Sequence, residues 1–359
     1  MTNHCVRTPQ ERIAVRLLGE RRARRTLVQV IAIASIWRTA MTDLLPMAGC
    51  GLWWTALTCL LPGLAVTALL SLAMRLNCSA TLPELARSCL GPIGGWLVSL
   101  LLAGALAVEA VSAMSALIAV FTRGVGTRGT QITLALLTGG ALLPSLHREG
   151  LARAAYLLRW VLRGGAVLAA AADLGAVRLD NLYPLLGNGG ASVKSALCIS
   201  WSLGWPFVLL LTIPQEEKRP RLCDAAPVVL LVTAALAFLC LTIPHEVLLA
   251  GGSMAQRLLL MARYAPSAVQ VLLLSVIMLA FFLAIAGAVQ GAAVSLLMPA
   301  RNPPGWLPHA VLIAVIALQC LPFAALQRGI SSLSPWLLLP FALLCALCLP
   351  MAIIRRKRP

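Results

Sequence analysis

Apolar residues are grouped along the chain in stretches whose lengths match the thickness of a lipid bilayer. A helix needs about 20 consecutive apolar residues to cross the hydrocarbon core, and ten such stretches, separated by polar, proline or glycine residues, occur in the 359 residues. The predicted spans are 27–46, 52–74, 96–121, 130–146, 154–173, 191–213, 225–243, 268–298, 307–326 and 334–354. We therefore expect an all-α polytopic membrane protein with one transmembrane domain at 27–354, between a basic segment at 1–26 and a basic tail at 355–359.

Two of the predicted spans, the first and the sixth, are interrupted near their middle. The interrupting residues are Arg38, Thr39, Thr42 and Asp43 in the first span, and Ser200, Ser202, Gly204, Trp205 and Pro206 in the sixth. Lipid offers no partner to backbone N–H and C=O groups, so an interrupted helix survives only where it lines a cavity or where another helix supplies partners. Interrupted spans at corresponding places in two halves of a chain predict a transporter-type binding site.

The first interruption has two interpretations. Arg38 and Asp43 are five residues apart, so on a continuous helix their side chains point in different directions. If the helix unwinds, the freed backbone groups around Thr39 and Thr42 would suit the carboxylate and the ammonium of a zwitterion. Alternatively, this segment is the outer end of the span and Arg38 extends to the lipid headgroups. We favour the interruption because apolar residues continue after Asp43.

The second interruption also leaves two interpretations open. Pro206 lacks the N–H that would bond the carbonyl of Ser202, and Gly204 adds backbone freedom. In one interpretation the hydroxyls of Ser200 and Ser202 face the gap and Trp205 forms a wall of a pocket. In the other, the span is a proline-kinked helix whose serines bond their own backbone.

Two further polar residues lie inside apolar spans. Glu109 is surrounded by small residues in the third span, and an intramembrane carboxylate predicts a functional role. A neutral carboxyl group that bonds neighbouring helices is the alternative. Gln290 lies in the sequence Gly287-Ala-Val-Gln290-Gly291, a pattern that favours close helix packing over ligand binding.

The charge pattern predicts topology. The chain is 60% hydrophobic and 11% charged, with a net charge of +17. If the N-terminus is cytoplasmic, Lys and Arg favour the cytoplasmic side by about three to one, as the positive-inside rule requires, and both termini are cytoplasmic. The basic residues therefore predict contact with anionic lipid and no nucleic-acid partner. Before the first span, Thr8, Pro9 and Glu11 form a capping-box pattern, which predicts a short interfacial helix, although an irregular basic leader is also open.

No pattern of catalytic or metal-binding residues stands out. The eleven cysteines are scattered, the four histidines fall in different segments, and the sequence contains no P-loop, no GxSxG and no HExxH motif. Cys345 and Cys348 have CxxC spacing, but they lie inside the last span, which favours a packing role. We therefore predict neither an enzyme nor a cofactor.

Several segments together resemble a known family. The segment Leu179-Asp-Asn-Leu-Tyr-Pro184-Leu-Leu-Gly-Asn-Gly189 is similar to a loop before the sixth helix of the membrane-permease B subunit of spore germination nutrient receptors. Gln29, the Leu45-Pro46 pair, Pro214 and the segment 247–251 also resemble that family, a branch of the amino acid, polyamine and organocation transporters. Where the family has a Gly-Glu pair in the sixth helix, this chain has Gly204-Trp205.

The resemblance implies a LeuT-like five-plus-five inverted repeat with discontinuous helices 1 and 6. It also implies a germinant receptor subunit in the spore inner membrane or the cell membrane, with a small-molecule nutrient, an amino acid by preference, bound at the two interruptions. The implied protein partners are a large membrane subunit and a lipoprotein. A stand-alone ion-coupled permease and a structural subunit without a working site are the alternatives. Sodium coupling is disfavoured because Ser275 and Ser295 are far apart in the eighth span.

Overall fold

A computed structural model describes residues 9–121, 128–146, 177–183, 190–213, 222–243, 267–296, 306–319 and 336–356, together with isolated positions between them. Within these ranges all regular secondary structure is helical. The α-helices are α1 (Pro9–Thr39), α2 (Leu45–Ala48), α3 (Leu52–Leu76), α4 (Leu82–Phe121), α5 (Arg128–Leu142), α6 (Gly190–Ser200), α7 (Leu222–Thr242), α8 (Ser267–Leu296), α9 (Leu307–Gln319) and α10 (Leu339–Arg356).

Shorter helical segments connect or extend these α-helices. Ala40–Leu44 is a π-helix that joins α1 to α2. The 3₁₀-helices are Gly49–Gly51, Leu143–Leu146, Leu179–Leu182 and Trp205–Thr212.

The protein is membrane-embedded, as the apolar pattern predicted. Four helical stretches in the described part are long and apolar enough to cross a membrane, and two shorter apolar helices accompany them. The four are Arg24–Leu76, Leu82–Phe121, Cys223–Thr242 and Ser275–Leu296. The predicted span at 154–173 lies outside the described residues, apart from isolated positions, and the ten-span inverted repeat stays a prediction.

Helix α1 is described from Pro9 and continues without a break to Thr39, so the predicted short interfacial helix is not a separate element from residue 9 onward. The basic N-terminal segment is therefore an extension of the first apolar helix from residue 9 onward. Two contacts tie this part of α1 to α7: Arg25 Nε lies 3.2 Å from Asp224 Oδ2, and Gln29 Nε2 donates to the Asp224 carbonyl at 2.9 Å.

Helix α4 is longer than the predicted third span because an additional helical segment precedes it. Glu84 makes the carboxylate half of a capping box with Thr81: one of its oxygens accepts bonds from the N–H groups of Ala80 and Thr81 at 2.9 and 3.2 Å. Gly91 then adopts φ 81° and ψ −175°, a backbone conformation suited to glycine, and kinks the helix. The sequence analysis missed this segment.

The core is formed mainly by α1, α3, α4 and α8, and by the 3₁₀-helix Trp205–Thr212. Helix α8 packs along α4 and also along α1, while α3 packs against α7 and α10. Helix α1 is therefore surrounded by α4, α7, α8 and the 3₁₀-helix. This arrangement places the polar residues near the end of α1 inside the protein.

Candidate functional site

A buried ion pair joins the end of α1 to the middle of α4. Arg38 Nη2 lies 3.2 Å from Glu109 Oε2, and the Arg38 and Glu109 side chains are only 11% and 2% exposed. Ser35 Oγ donates a hydrogen bond to the same carboxylate oxygen at 2.9 Å. Ser35 and Arg38 are three residues apart on α1, so they lie on the same face of the helix. This face of α1 presents a hydroxyl and a guanidinium to one carboxylate.

The ion pair does not use all of its hydrogen-bonding capacity. Arg38 Nε and Glu109 Oε1 are both buried and have no hydrogen-bond partner among the protein atoms described. Buried polar atoms are nearly always partnered, because leaving one unpaired costs about 1–3 kcal/mol, and more for a charged group. Each member of the pair thus keeps one polar atom that can bond a further group.

The first predicted interruption takes the form of a π-helix rather than of unwound backbone. The N–H of Leu45 donates to the carbonyl of Ala40, five residues earlier, as a π-helix requires. The hydroxyl of Thr42 donates to the carbonyls of Arg38 and Thr39 at 3.0 and 3.4 Å. The side chain of Thr42 therefore bonds two backbone carbonyls at the end of α1. The sequence had predicted that backbone groups here would bind a ligand.

The structure does not pair Arg38 with Asp43. Among the described residues Arg38 forms its ion pair with Glu109, while the Asp43 carboxylate lies near enough to attract Arg38 electrostatically. Asp43 is partly buried, and Thr39 is buried. Of the four residues predicted at this interruption, Arg38 is the one that meets Glu109.

The second interruption is a change of helix type at the predicted position. Helix α6 ends at Ser200, a turn follows, and the chain continues as a 3₁₀-helix from Trp205. The N–H of Trp205 donates to the carbonyl of Ser202 at 2.9 Å, and the N–H of Leu203 to the carbonyl of Ser200 at 2.9 Å. Because Pro206 has no N–H to donate to the Ser202 carbonyl, the N–H of Trp205 donates to it instead. The proline thus explains the change from α to 3₁₀ geometry.

Gly204 is required for a different reason from the one predicted. Its φ of −83° and ψ of 4° need no glycine. A Cβ atom at Gly204 would lie 2.7 Å from the carbonyl oxygen of Leu60 and 2.8 Å from Cα of Gly63. The backbone at Gly204 therefore packs directly on α3, and close approach, not backbone freedom, excludes a side chain.

The other predicted residues of the sixth span are buried. Ser200, Ser202 and Trp205 are each at most 3% exposed. The hydroxyl of Ser200 has no hydrogen-bond partner among the described residues, so it does not bond its own backbone as the kinked-helix interpretation required. Helix α6 contacts the π-helix and α2, and the 3₁₀-helix Trp205–Thr212 contacts α1 and α4. The two interruptions are therefore neighbours in space.

The segment around Gln290 packs α8 against two other helices, as the small-residue pattern predicted. A Cβ atom at Gly287 would lie 2.9 Å from side-chain atoms of Leu27 and Ile31 on α1, and one at Gly291 would lie 3.0 Å from Leu106 on α4. Gln290, which lies between the two glycines in sequence, is buried. The close contacts of α8 with α1 and α4 are therefore made at the two glycines.

Other buried polar atoms, on the elements around the ion pair, have no partner in the described part of the chain. They are Trp37 Nε1, Trp53 Nε1, Thr55 Oγ1, Ser200 Oγ and Thr233 Oγ1. Sequence analysis missed Ser35, although a serine three residues before the intramembrane arginine was a usable signal.

The loop that carried the best family resemblance has a structural role in the described part. The side chain of Asn181 donates to the carbonyl of Leu241 at 2.9 Å, and the N–H of Arg178 donates to the same carbonyl at 3.1 Å. The loop thus caps the C-terminus of α7. The rest of the segment, 184–189, and the similar segment 247–251 lie outside the described residues. No protein-family model matches the chain, and no curated protein matches its sequence.

Proposed function

We propose that this protein is the small-molecule-binding membrane subunit of a receptor of the spore-germination type, and that its ligand is an amino acid. The ligand binds at the Arg38–Glu109 ion pair, beside the two interrupted helices. The observation that carries the proposal is the pair of buried, unpartnered charged atoms, Arg38 Nε and Glu109 Oε1. The proposal of a receptor rests on the resemblance of the sequence to the B subunit of spore germination nutrient receptors.

The depth of the ion pair supports a functional role. Arg38 lies 14 residues beyond Arg24, which is about 21 Å along α1 at 1.5 Å per residue. Glu109 lies 12 residues before the end of α4, or about 18 Å along its axis. Charged groups this deep in a membrane protein are costly and mark ligand or ion pathways. A pair that served only to join α1 to α4 would gain more from full hydrogen bonding.

Binding is tested with the purified protein in lipid nanodiscs, by the shift in its melting temperature with each of the standard amino acids. We expect at least one amino acid to stabilise the wild type, and Arg38→Gln and Glu109→Gln to lose that shift. Asp224→Asn is the matched control, because it removes a carboxylate from a second ion pair of α1, with Arg25, and should keep the shift. Absence of a shift in the wild type, or an undiminished shift in both site variants, would contradict the proposal and favour a structural subunit without a working site.

A stand-alone permease is the second candidate, because a buried carboxyl group such as Glu109 can carry a proton. Uptake of the binding amino acid into proteoliposomes containing only this chain distinguishes the two. Binding without uptake supports the receptor, and uptake that dissipates a proton gradient supports the permease. Neighbouring genes for a large membrane subunit and a lipoprotein would also support the receptor.

A further inference from the structure

Two exposed arginines lie where the chain turns from α3 into α4. Arg75 is in the last turn of α3, and Arg87 is in the helical segment 82–90, which forms the first part of α4. The side-chain amide of Asn77 donates to the hydroxyl of Ser88, the residue next to Arg87. This bond holds the end of α3 against segment 82–90. The two arginines therefore stand on adjoining parts of one surface.

The positive charge of this surface is not compensated. Within the described part of the chain, neither arginine forms an ion pair. The one acidic residue in the sequence between them is Glu84. Its carboxylate accepts the N–H groups of Ala80 and Thr81 at the start of α4. Two guanidinium groups thus remain to bind an anion.

Exposed apolar residues lie directly beside both arginines. On α3, Leu72 is 46% exposed and precedes Arg75 by three residues, so the two share a face of the helix. On α4, Leu90 follows Arg87 by three residues and is also exposed, and Ile93 beyond the kink is 72% exposed. An anion that binds the arginines therefore meets apolar surface next to the positive charge. A phospholipid has both kinds of group.

The position of Arg87 is fixed by close packing at the level of a membrane interface. A Cβ atom at Gly95 would lie 2.9 Å from Cβ of Arg87 and 3.3 Å from the carbonyl oxygen of Pro83. Segment 82–90 therefore folds back closely onto Gly95, next to the exposed Trp96. Tryptophan is enriched at the level of the lipid headgroups. Trp96 thus indicates that Arg87 lies at headgroup depth.

We propose that this surface, with Arg75 and Arg87 at its centre, binds a phospholipid that has two phosphate groups, of the diphosphatidylglycerol class. Each guanidinium can bond one phosphate in a bidentate manner, and the acyl chains cover the exposed apolar residues. The general attraction of basic residues to anionic lipid favours no particular place or lipid. This inference assigns one surface and a lipid with as many phosphates as there are arginines. It is independent of the amino acid site.

The test measures the dissociation constants of lipids from the purified full chain in detergent, by native mass spectrometry. The wild type should bind diphosphatidylglycerol at least about five-fold more tightly than phosphatidylglycerol, which has one phosphate, because it makes one more arginine–phosphate contact. Phosphatidylcholine, whose headgroup has no net charge, should bind more weakly than both. Equimolar inorganic phosphate should not displace the lipid, since it has no acyl chains.

Variants of the two arginines test the assigned surface. Arg75→Gln and Arg87→Gln should each weaken the binding of diphosphatidylglycerol about five-fold. The double variant should bind this lipid no more tightly than phosphatidylglycerol. Arg24→Gln is the matched control, because it removes the same charge from an exposed arginine on α1 at the end predicted to be cytoplasmic, and it should keep the wild-type affinity. Since all three side chains are exposed, the variants should melt at the wild-type temperature without added lipid.

Several outcomes would overturn the inference. Equal affinity of the wild type for the two anionic lipids would do so, and this comparison needs no variant. Displacement by equimolar inorganic phosphate would show that the surface takes a free anion and not a lipid. An equal loss of affinity in Arg24→Gln and Arg87→Gln would show a diffuse attraction without a defined site. None of these outcomes bears on amino acid binding at Arg38 and Glu109.

Discussion

The close approach of Gly204 to α3 gives a quantitative prediction for stability. A Cβ atom there would lie 2.7 Å from the Leu60 carbonyl oxygen, whereas ordinary contacts begin near 3.4 Å. The two backbones must separate by about 0.7 Å, and neither is a flexible side-chain end. Overpacking of this kind costs about 1–3 kcal/mol, and contact with backbone places Gly204→Ala at the upper end. Gly63→Ala should behave alike, since its Cβ would overlap the backbone of Gly204.

Gly104→Ala is the matched control for this prediction. A Cβ atom at Gly104, on α4, would meet no atom within 4 Å. Alanine is the better helix former by about 1 kcal/mol, so this variant should be at least as stable as the wild type. The assay is reversible unfolding in mixed micelles, followed by tryptophan fluorescence. Equal free energies of unfolding for Gly204→Ala and Gly104→Ala would refute the close packing of the sixth span on α3.

Three further predictions concern the capped ends of helices and the topology. Asn181→Ala should lower the free energy of unfolding by about 1 kcal/mol, because the carbonyl of Leu241 loses one of its two donors; no change would mean that the loop does not cap α7. Glu84→Ala should cost about 0.5–1 kcal/mol in the same assay, because two N–H groups lose their acceptor, and a neutral result would contradict the capping box. Reporter fusions after Gly189 and after Pro359 should be external and cytoplasmic respectively, and an external C-terminus would contradict the ten-span prediction.

The places where the two helices are interrupted could be predicted because the signals are local. Pro206 lacks an N–H in any backbone conformation, so the α-helical hydrogen bonding must change beside it. The form of the first interruption depended on whether the freed carbonyls found a partner within the chain. The hydroxyl of Thr42 provides one for Arg38 and Thr39, and the backbone remains helical as a π-helix.

The sequence disfavours Asp43 as the ion-pair partner of Arg38, because residues five apart face different directions on a regular α-helix. It does not identify Glu109 as the partner. Glu109 is 71 residues away, and its approach depends on how α1 and α4 pack together. Sequence analysis recognised both residues as unusual within a membrane span and had no means of joining them. The same limit applies to Gly204, whose role depends on the neighbouring backbone of Gly63.

The local signal for the helix start before Gly91 was present and was overlooked. Thr81, Leu82, Pro83 and Glu84 form the same type of pattern as the one recognised at Thr8. Because this segment is not continuously apolar, the length of apolar stretches does not indicate it, whereas its cap residues do.

A double-mutant cycle on Arg38→Gln and Glu109→Gln tests the central claim most directly, because it measures stability and amino acid binding in the same proteins. Each single variant leaves one buried group without its partner, so its free energy of unfolding should fall by up to about 3–5 kcal/mol. The double variant should be less destabilised than the worse single variant. We expect Glu109→Gln to be the worse, since a carboxyl group can take up a proton and a guanidinium cannot release one. If the pair is the binding site, the double variant regains stability but binds no amino acid. A double variant that binds as tightly as the wild type would show that the pair only holds α1 to α4.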